Sequence, residues 1–268
     1  MGPSGGFETP LSHEGRAVDC TTMSETAPSD SSDGSTKYAQ KVYQAPPGST
    51  QILLVRHGAS MAFEPDGDPF PVNADGQGDP PLAAEGQAQA KLVGERLRHE
   101  AVDAIYVTNL CRTAETAAPL AEALGITPIV EPDLREVFLG EWDAGIFRQK
   151  IHDLDDPIIQ EFVRTRNWGV VPGAESNEDL RDRCVPALER IIAAHPGANV
   201  VVVVHGGVIA SLLSHASGVD GFGQFGGAAN GSLHHLVALE GTIAIRSFND
   251  TAHLGPAFAE TAPHPPTP

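Results

Sequence analysis

Two histidines in this sequence follow apolar runs and precede glycine. Arg56-His57-Gly58 comes after residues 51–55 (QILLV), and His205-Gly206-Gly207 after residues 200–204 (VVVVV). An imidazole can serve as nucleophile, proton carrier or donor to an oxyanion. A third segment, Thr108-Asn109-Leu110-Cys111-Arg112-Thr113, follows residues 102–107 (VDAIYV) and carries an arginine. A guanidinium fork matches phosphate oxygens in shape and charge. Two imidazoles and two guanidiniums behind three apolar runs point to chemistry on a phosphate.

The whole-chain charge sharpens that reading. The sequence has 268 residues, with 35 Asp and Glu against 17 Lys and Arg, a formal net charge of −18. Such a field repels an anionic substrate, so any anion site must be a local concentration of cations. The same charge argues against general nucleic-acid binding, which needs a basic face. No apolar run approaches the ~18 residues of a membrane span. Cys20, Cys111 and Cys184 are far apart and contain no CxxC pair, so neither a zinc site nor a disulfide framework is expected. These features fit a cytoplasmic protein, and the N-terminus shows no signal-peptide pattern.

The elements that must position these residues alternate. Runs 51–55, 102–107, 127–130 and 200–204 read as strands. Spans 82–100, 113–124, 177–194 and 208–216 read as helices. Gly125 is the expected C-cap of the second helix, and Ser176 or Asn177 the N-cap of the third. A pure valine run implies burial on both faces. Residues 233–239 and 242–248 read as an antiparallel pair across Glu240-Gly241. The expected fold is α/β: a three-layer sandwich, its mostly parallel central sheet covered by helices on both faces. One domain is expected over residues 49–254, with a disordered tail over 1–48 and a flexible one over 255–268. In such sheets ligands bind beyond the carboxyl ends of the strands, where both histidines and Arg112 would stand. The glycines that follow let the backbone approach closely, and a helix opening after Gly207 would aim N–H groups at an anion.

The residues form an ordered series: LLVRHGAS, GDPPLAAEGQAQA, YVTNLCRTAETA, LREVFLGEWDAG, GAESNEDLRDR, VVVVHGGVI and FNDTAHL, spanning residues 51–254. In this order and spacing they resemble the histidine phosphatase superfamily, which includes the phosphoglycerate mutases. The resemblance implies a phosphoglycerate mutase-like fold and a phosphohistidine formed on His57. It implies a phosphate pocket of Arg56, Arg112 and His205, with Glu136 as proton donor. The chemistry is consistent with those roles. Neighbouring arginines keep an imidazole neutral and nucleophilic, and they stabilise charge on the transferring group. A carboxylic acid can protonate the leaving alkoxide and then activate water. No metal and no cofactor is expected. The partner is a small-molecule phosphomonoester rather than nucleic acid or membrane, and a homodimer is allowed. Two departures favour hydrolysis over mutase activity. Phe63 stands where mutases carry Asn, and only residues 138–172 separate LREV from GAES. A phosphoglycerate mutase and a non-catalytic phospho-ligand binder are the alternatives.

Several residues admit plainer readings. Glu141 and Asp143 lie near Glu136 and compete with it as the acid. Ser60 and Gly206 are candidate phosphate contacts. Glu175 and Ser176 read equally as substrate contacts and as a helix cap. Arg164 and Arg166 read as a solvated helix face before a substrate contact. His99, His152, His195, His215 and His234 read as structural or solvent-facing, and His253 as a brace beside the site. His234 and His235 should point to opposite faces of a strand. Residues 221–226 spell GxGxxG, but they follow no expected strand and open no helix, so no dinucleotide site is expected.

Overall fold

The computed structural model describes residues 40–219 and 222–256. Most of the two expected tails, residues 1–39 and 257–268, lies outside the described residues, as does Gly221.

Six strands form one sheet in the order β3-β2-β4-β1-β5-β6. They are β1 (Thr50–Arg56), β2 (Ala104–Val107), β3 (Ile129–Val130), β4 (Asn199–Val204), β5 (Leu233–Leu239) and β6 (Thr242–Asp250). Strands β3, β2, β4 and β1 run parallel, and the β5–β6 hairpin adds an antiparallel edge. The hairpin turns on Glu240 and Gly241, both at positive φ, as a two-residue type I′ turn requires.

Helices cover both faces, as the alternating pattern implies. β4 sits at the centre and shows why its valines read as doubly buried. Val200, Val202 and Val204 pack with Leu180, Leu188 and Ile191 of α5 (Asn177–Ala194) and Ile209 and Leu213 of α6 (Gly206–Ser217). Val201 and Val203 pack with Val93 and Leu97 of α1 (Ala84–Leu97) and Ala117 and Leu120 of α2 (Cys111–Leu124).

Helix ends follow local chemistry. Gly125 caps α2 in the left-handed region, where a Cβ would be strained. Ser176 and Asp179 form a reciprocal capping box on α5. Asn177 is therefore not the cap; its side chain ties to Trp168 N–H and the Arg166 carbonyl instead. α1 begins at Ala84 rather than residue 82, because Leu82 pairs with Ser60 and donates its N–H to Glu115.

Between β3 and α5 the chain builds a small lobe over the strand ends. It contains α3 (Ile146–Lys150), α4 (Pro157–Thr165) and its own core of Trp142, Ile159 and Val171.

Candidate active site

Strand ends place the candidate cluster. β1 ends at Arg56 and runs directly into His57; β4 ends at Val204 and runs into His205. The two strands pair in register, with Arg56 opposite Val204, so the histidines emerge side by side. Their ring centroids lie 5.1 Å apart. Arg112 enters from the first turn of α2, and its Nε donates to His57 Nε2 at 3.3 Å.

That bond and one other fix the state of His57. Nδ1 lies 2.7 Å from the Gly58 carbonyl, which can only accept. The proton therefore sits on Nδ1, and Nε2 keeps its lone pair. Burial pushes the His57 pKa well below its usual 6.5, and the positive charges of Arg112 and Arg56 push the same way against the Gly58 carbonyl. A neutral ring with a lone pair between cations is the reactive form of imidazole.

His205 is wholly buried, and Gly206 and Gly207 stand at the cavity wall beside it. Its Nε2 meets Thr108 Oγ1 at 3.0 Å, and its Nδ1 is buried without a partner. Its pKa is also held well below 6.5, first by burial and then by Arg112 and His57. Arg56 donates through Nη1 to the Ala228 carbonyl, while its Nε is likewise buried and unpartnered beside Gly206. Buried polar atoms are rarely left unpaired. Two such atoms beside His57 suit an oxyanion.

Glu136 reaches the same place from the segment after β3. Its carboxylate accepts from Val137 N at 3.0 Å and from Gly207 N, in the first turn of α6, at 3.3 Å. Its competitors do something else. Asp143 accepts three backbone N–H groups, from Gly78, Ala144 and Leu139, and so ties the small lobe together. Glu141 is exposed and off the cavity wall. Glu175 is bonded to Arg183 and to Phe138 N, and Ser176 caps α5. The capping reading thus holds for Ser176 and not for Glu175. Arg164 is exposed and bonded to Glu161, whereas Arg166 lines the cavity, contrary to the solvated-face expectation. Its position follows from a left-handed backbone, with φ 54°, at the end of α4.

Sequence reasoning missed Arg148, Gln77 and Asn230. Arg148 bonds Ser60 Oγ at 2.8 Å and the Met61 carbonyl at 2.6 Å. Its pKa is lowered by burial and then by Arg112 and Arg56, which makes it a third cation at the site. Gln77 donates to the Glu136 carbonyl at 2.8 Å, and Asn230 to the His57 carbonyl at 2.8 Å. GIFRQK and ADGQGD carry no periodic signal that would mark these residues. The FNDTAHL segment does brace the site. Asn249 accepts from Ala229 N, and His253 Nε2 lies 3.0 Å from the Gly231 carbonyl. His234 is fully buried, accepts from Asn249 N and has its pKa lowered to about 4, first by burial and then by Arg56. The GxGxxG spelling ends in a single turn, Phe222–Phe225, and opens no α-helix.

Arg56, His57, Arg112 and Glu136 line one cavity of about 580 Å³; His205, wholly buried, meets the His57 ring beside it. Among the described residues, no group of three His, Cys, Asp or Glu is placed to hold a metal ion. No helix there is long and apolar enough to cross a membrane.

The fold and this cluster define a class: α/β sandwiches whose parallel strands bring two histidines and an arginine to their carboxyl ends, where a helix N-terminus adds a second arginine. The family model for the histidine phosphatase superfamily (branch 1) matches residues 52–251. The chain belongs to that superfamily. It is similar to a probable phosphoglycerate mutase, GpmB, of Serratia proteamaculans, 30% identical over 174 residues, 65% of this chain and 78% of the relative. It is also similar to a metal-independent phosphoserine phosphatase of Arabidopsis thaliana, 30% identical over 208 residues, 76% of this chain and 83% of the relative. Among solved structures, mycobacterial glucosyl-3-phosphoglycerate phosphatase superposes with a TM-score of 0.63 at 25% identity. That match covers 76% of this chain and all (100%) of the other.

Proposed function

We propose that this protein is a phosphomonoesterase that transfers the phosphoryl group first to His57 and then to water. The observation that carries the reading is the uncharged His57 ring, its Nε2 lone pair flanked by Arg112 and Arg56.

In the first step Nε2 attacks phosphorus, the bond from phosphorus to the ester oxygen breaks, and the Glu136 carboxyl gives its proton to the leaving alkoxide. Arg56 Nε, the Arg112 guanidinium and His205 Nδ1 donate to the equatorial oxygens, where charge gathers. In the second step the Glu136 carboxylate takes a proton from water. The water oxygen attacks phosphorus, the N–P bond breaks, and His57 returns neutral with inorganic phosphate released. No step calls for a metal ion.

Relatives with both mutase and phosphatase names are consistent with this chemistry, and Phe63 favours hydrolysis. Its ring packs edge-on to Phe70 and closes against Gly145. It offers no polar contact to a second phosphate that must be retained while an intermediate reorients. The test is turnover of p-nitrophenyl phosphate in EDTA. Activity that persists and is abolished in His57→Ala is expected. Activity that survives in His57→Ala, or 3- to 2-phosphoglycerate conversion primed by 2,3-bisphosphoglycerate that outpaces hydrolysis, overturns it.

A further inference from the structure

We propose that the alcohol half of the substrate is apolar and ring-bearing, an arylalkyl alcohol rather than a sugar or glycerate. The proposal rests on the phosphomonoesterase reading and assigns the rest of the same cavity. At about 580 Å³ the cavity is many times larger than a phosphate group, and Arg56, His57 and Arg112 are only part of its lining. The rest of the wall includes the large apolar side chains Phe70, Trp142, Phe147, Ile151, Phe162 and Trp168, beside polar residues such as Asp143, Arg148, His152 and Arg166.

These rings hold one another. Phe162 packs on Trp168 at 4.5 Å between centroids, and Phe147 stands edge-on to Trp168 at 5.3 Å and to Phe162 at 5.8 Å. Phe162 is 1% exposed, so the wall is backed by core and formed before any ligand arrives. Offset and edge-on contacts of this kind accept a further ring.

Several of the polar groups on the wall are already engaged within the protein. Asp143 is spent on three backbone N–H groups. The Gln77 amide donates to the Glu136 and Val137 carbonyls, the Asn230 amide to the His57 carbonyl. Arg148 is held by Ser60 and Met61. Arg166 and His152 are the polar exceptions on the small lobe. A polyol entering this space would lose water from hydroxyls with few partners to replace it. An aromatic ring loses nothing of that kind.

The experiment compares kcat/KM for 2-phenylethyl phosphate, glycerol 3-phosphate and glucose 6-phosphate. All three leave as alkyl alcohols, so intrinsic reactivity is matched. The arylalkyl ester is expected to lead by roughly tenfold or more, the scale on which apolar pockets discriminate. Phe147→Leu should narrow that ratio. Competition by 2-phenylethylphosphonate and methylphosphonate on the unmodified protein, followed by calorimetry, needs neither turnover nor a variant. Tighter binding of the phenylethyl compound supports the wall. Equal binding of the two phosphonates, or a polyol ester hydrolysed as well as the arylalkyl one, overturns it. If no ester is hydrolysed, the phosphomonoesterase reading fails alone and the phosphonate pair still decides this proposal.

Discussion

His57, His205 and His234 are held neutral by their surroundings, and that has a measurable cost. All three have pKa values below the usual 6.5, with burial the leading cause in each. Below pH 6.5 the unfolded chain binds protons on these rings that the folded chain refuses. Their contribution to stability is therefore complete above 6.5 and declines as pH falls, ending for His234 near 4. Each ring can add up to about 1.4 kcal/mol per pH unit to that slope. Urea unfolding midpoints should drop between pH 7.5 and 5.5, and His205→Gln should make the slope shallower. A midpoint that stays flat over that range would mean that these rings are not held neutral. The same residues explain how a chain of charge −18 can offer an anion site. Arg112 is 6% exposed, so its charge acts inside the cavity, where water screens it little.

At the scale of elements, the segment carrying Glu136 has no regular structure to hold it, and α5 supplies the clamp. Arg183 donates from Nη1 to the Asp133 and Arg135 carbonyls, each at 2.8 Å, and from Nη2 to the Glu136 carbonyl at 3.0 Å. Glu175 grips the same guanidinium at 2.7 and 2.8 Å. Arg183→Met keeps the apolar stem but removes the donors that hold the Asp133, Arg135 and Glu136 carbonyls and the main cationic partner of Glu175. Breaking a fully buried pair costs about 3–5 kcal/mol, and this half-buried one should cost less. Turnover should fall roughly 10²-fold through kcat, because the Glu136 carboxyl shifts relative to His57. Arg183→Lys should recover part of the stability and less of the turnover. A folded Arg183→Met protein with unchanged kcat would show that the clamp does not position the acid. The strands and long helices were legible because burial imposes periodicity: β4 alternates Val200, Val202 and Val204 against Val201 and Val203. Helix starts were less legible. α2 opens at Cys111 behind Leu110, which has no side-chain cap to announce it.

Across the whole molecule, the part of the site read most directly in sequence was the part that sits on strand ends, while Glu136 was read only through the resemblance. His57 and His205 are brought together by the pairing of β1 with β4 alone. Gln77 comes from an irregular segment, and Arg148, Phe147 and Phe162 from the short helices α3 and α4, whose positions are decided by tertiary contacts such as Asp143 accepting from Gly78. Local sequence does not encode such meetings. The two histidines thus rest on the pairing of two strands, while the small lobe over them is assembled by tertiary contacts. The measurement that reaches the centre of this account is a rapid-quench trap with a 32P-labelled monoester, followed by peptide mapping. The expected result is label on the peptide containing His57, stable to base and lost in acid, and absent from His57→Ala. An acid-stable label, or label on any other residue, would contradict it.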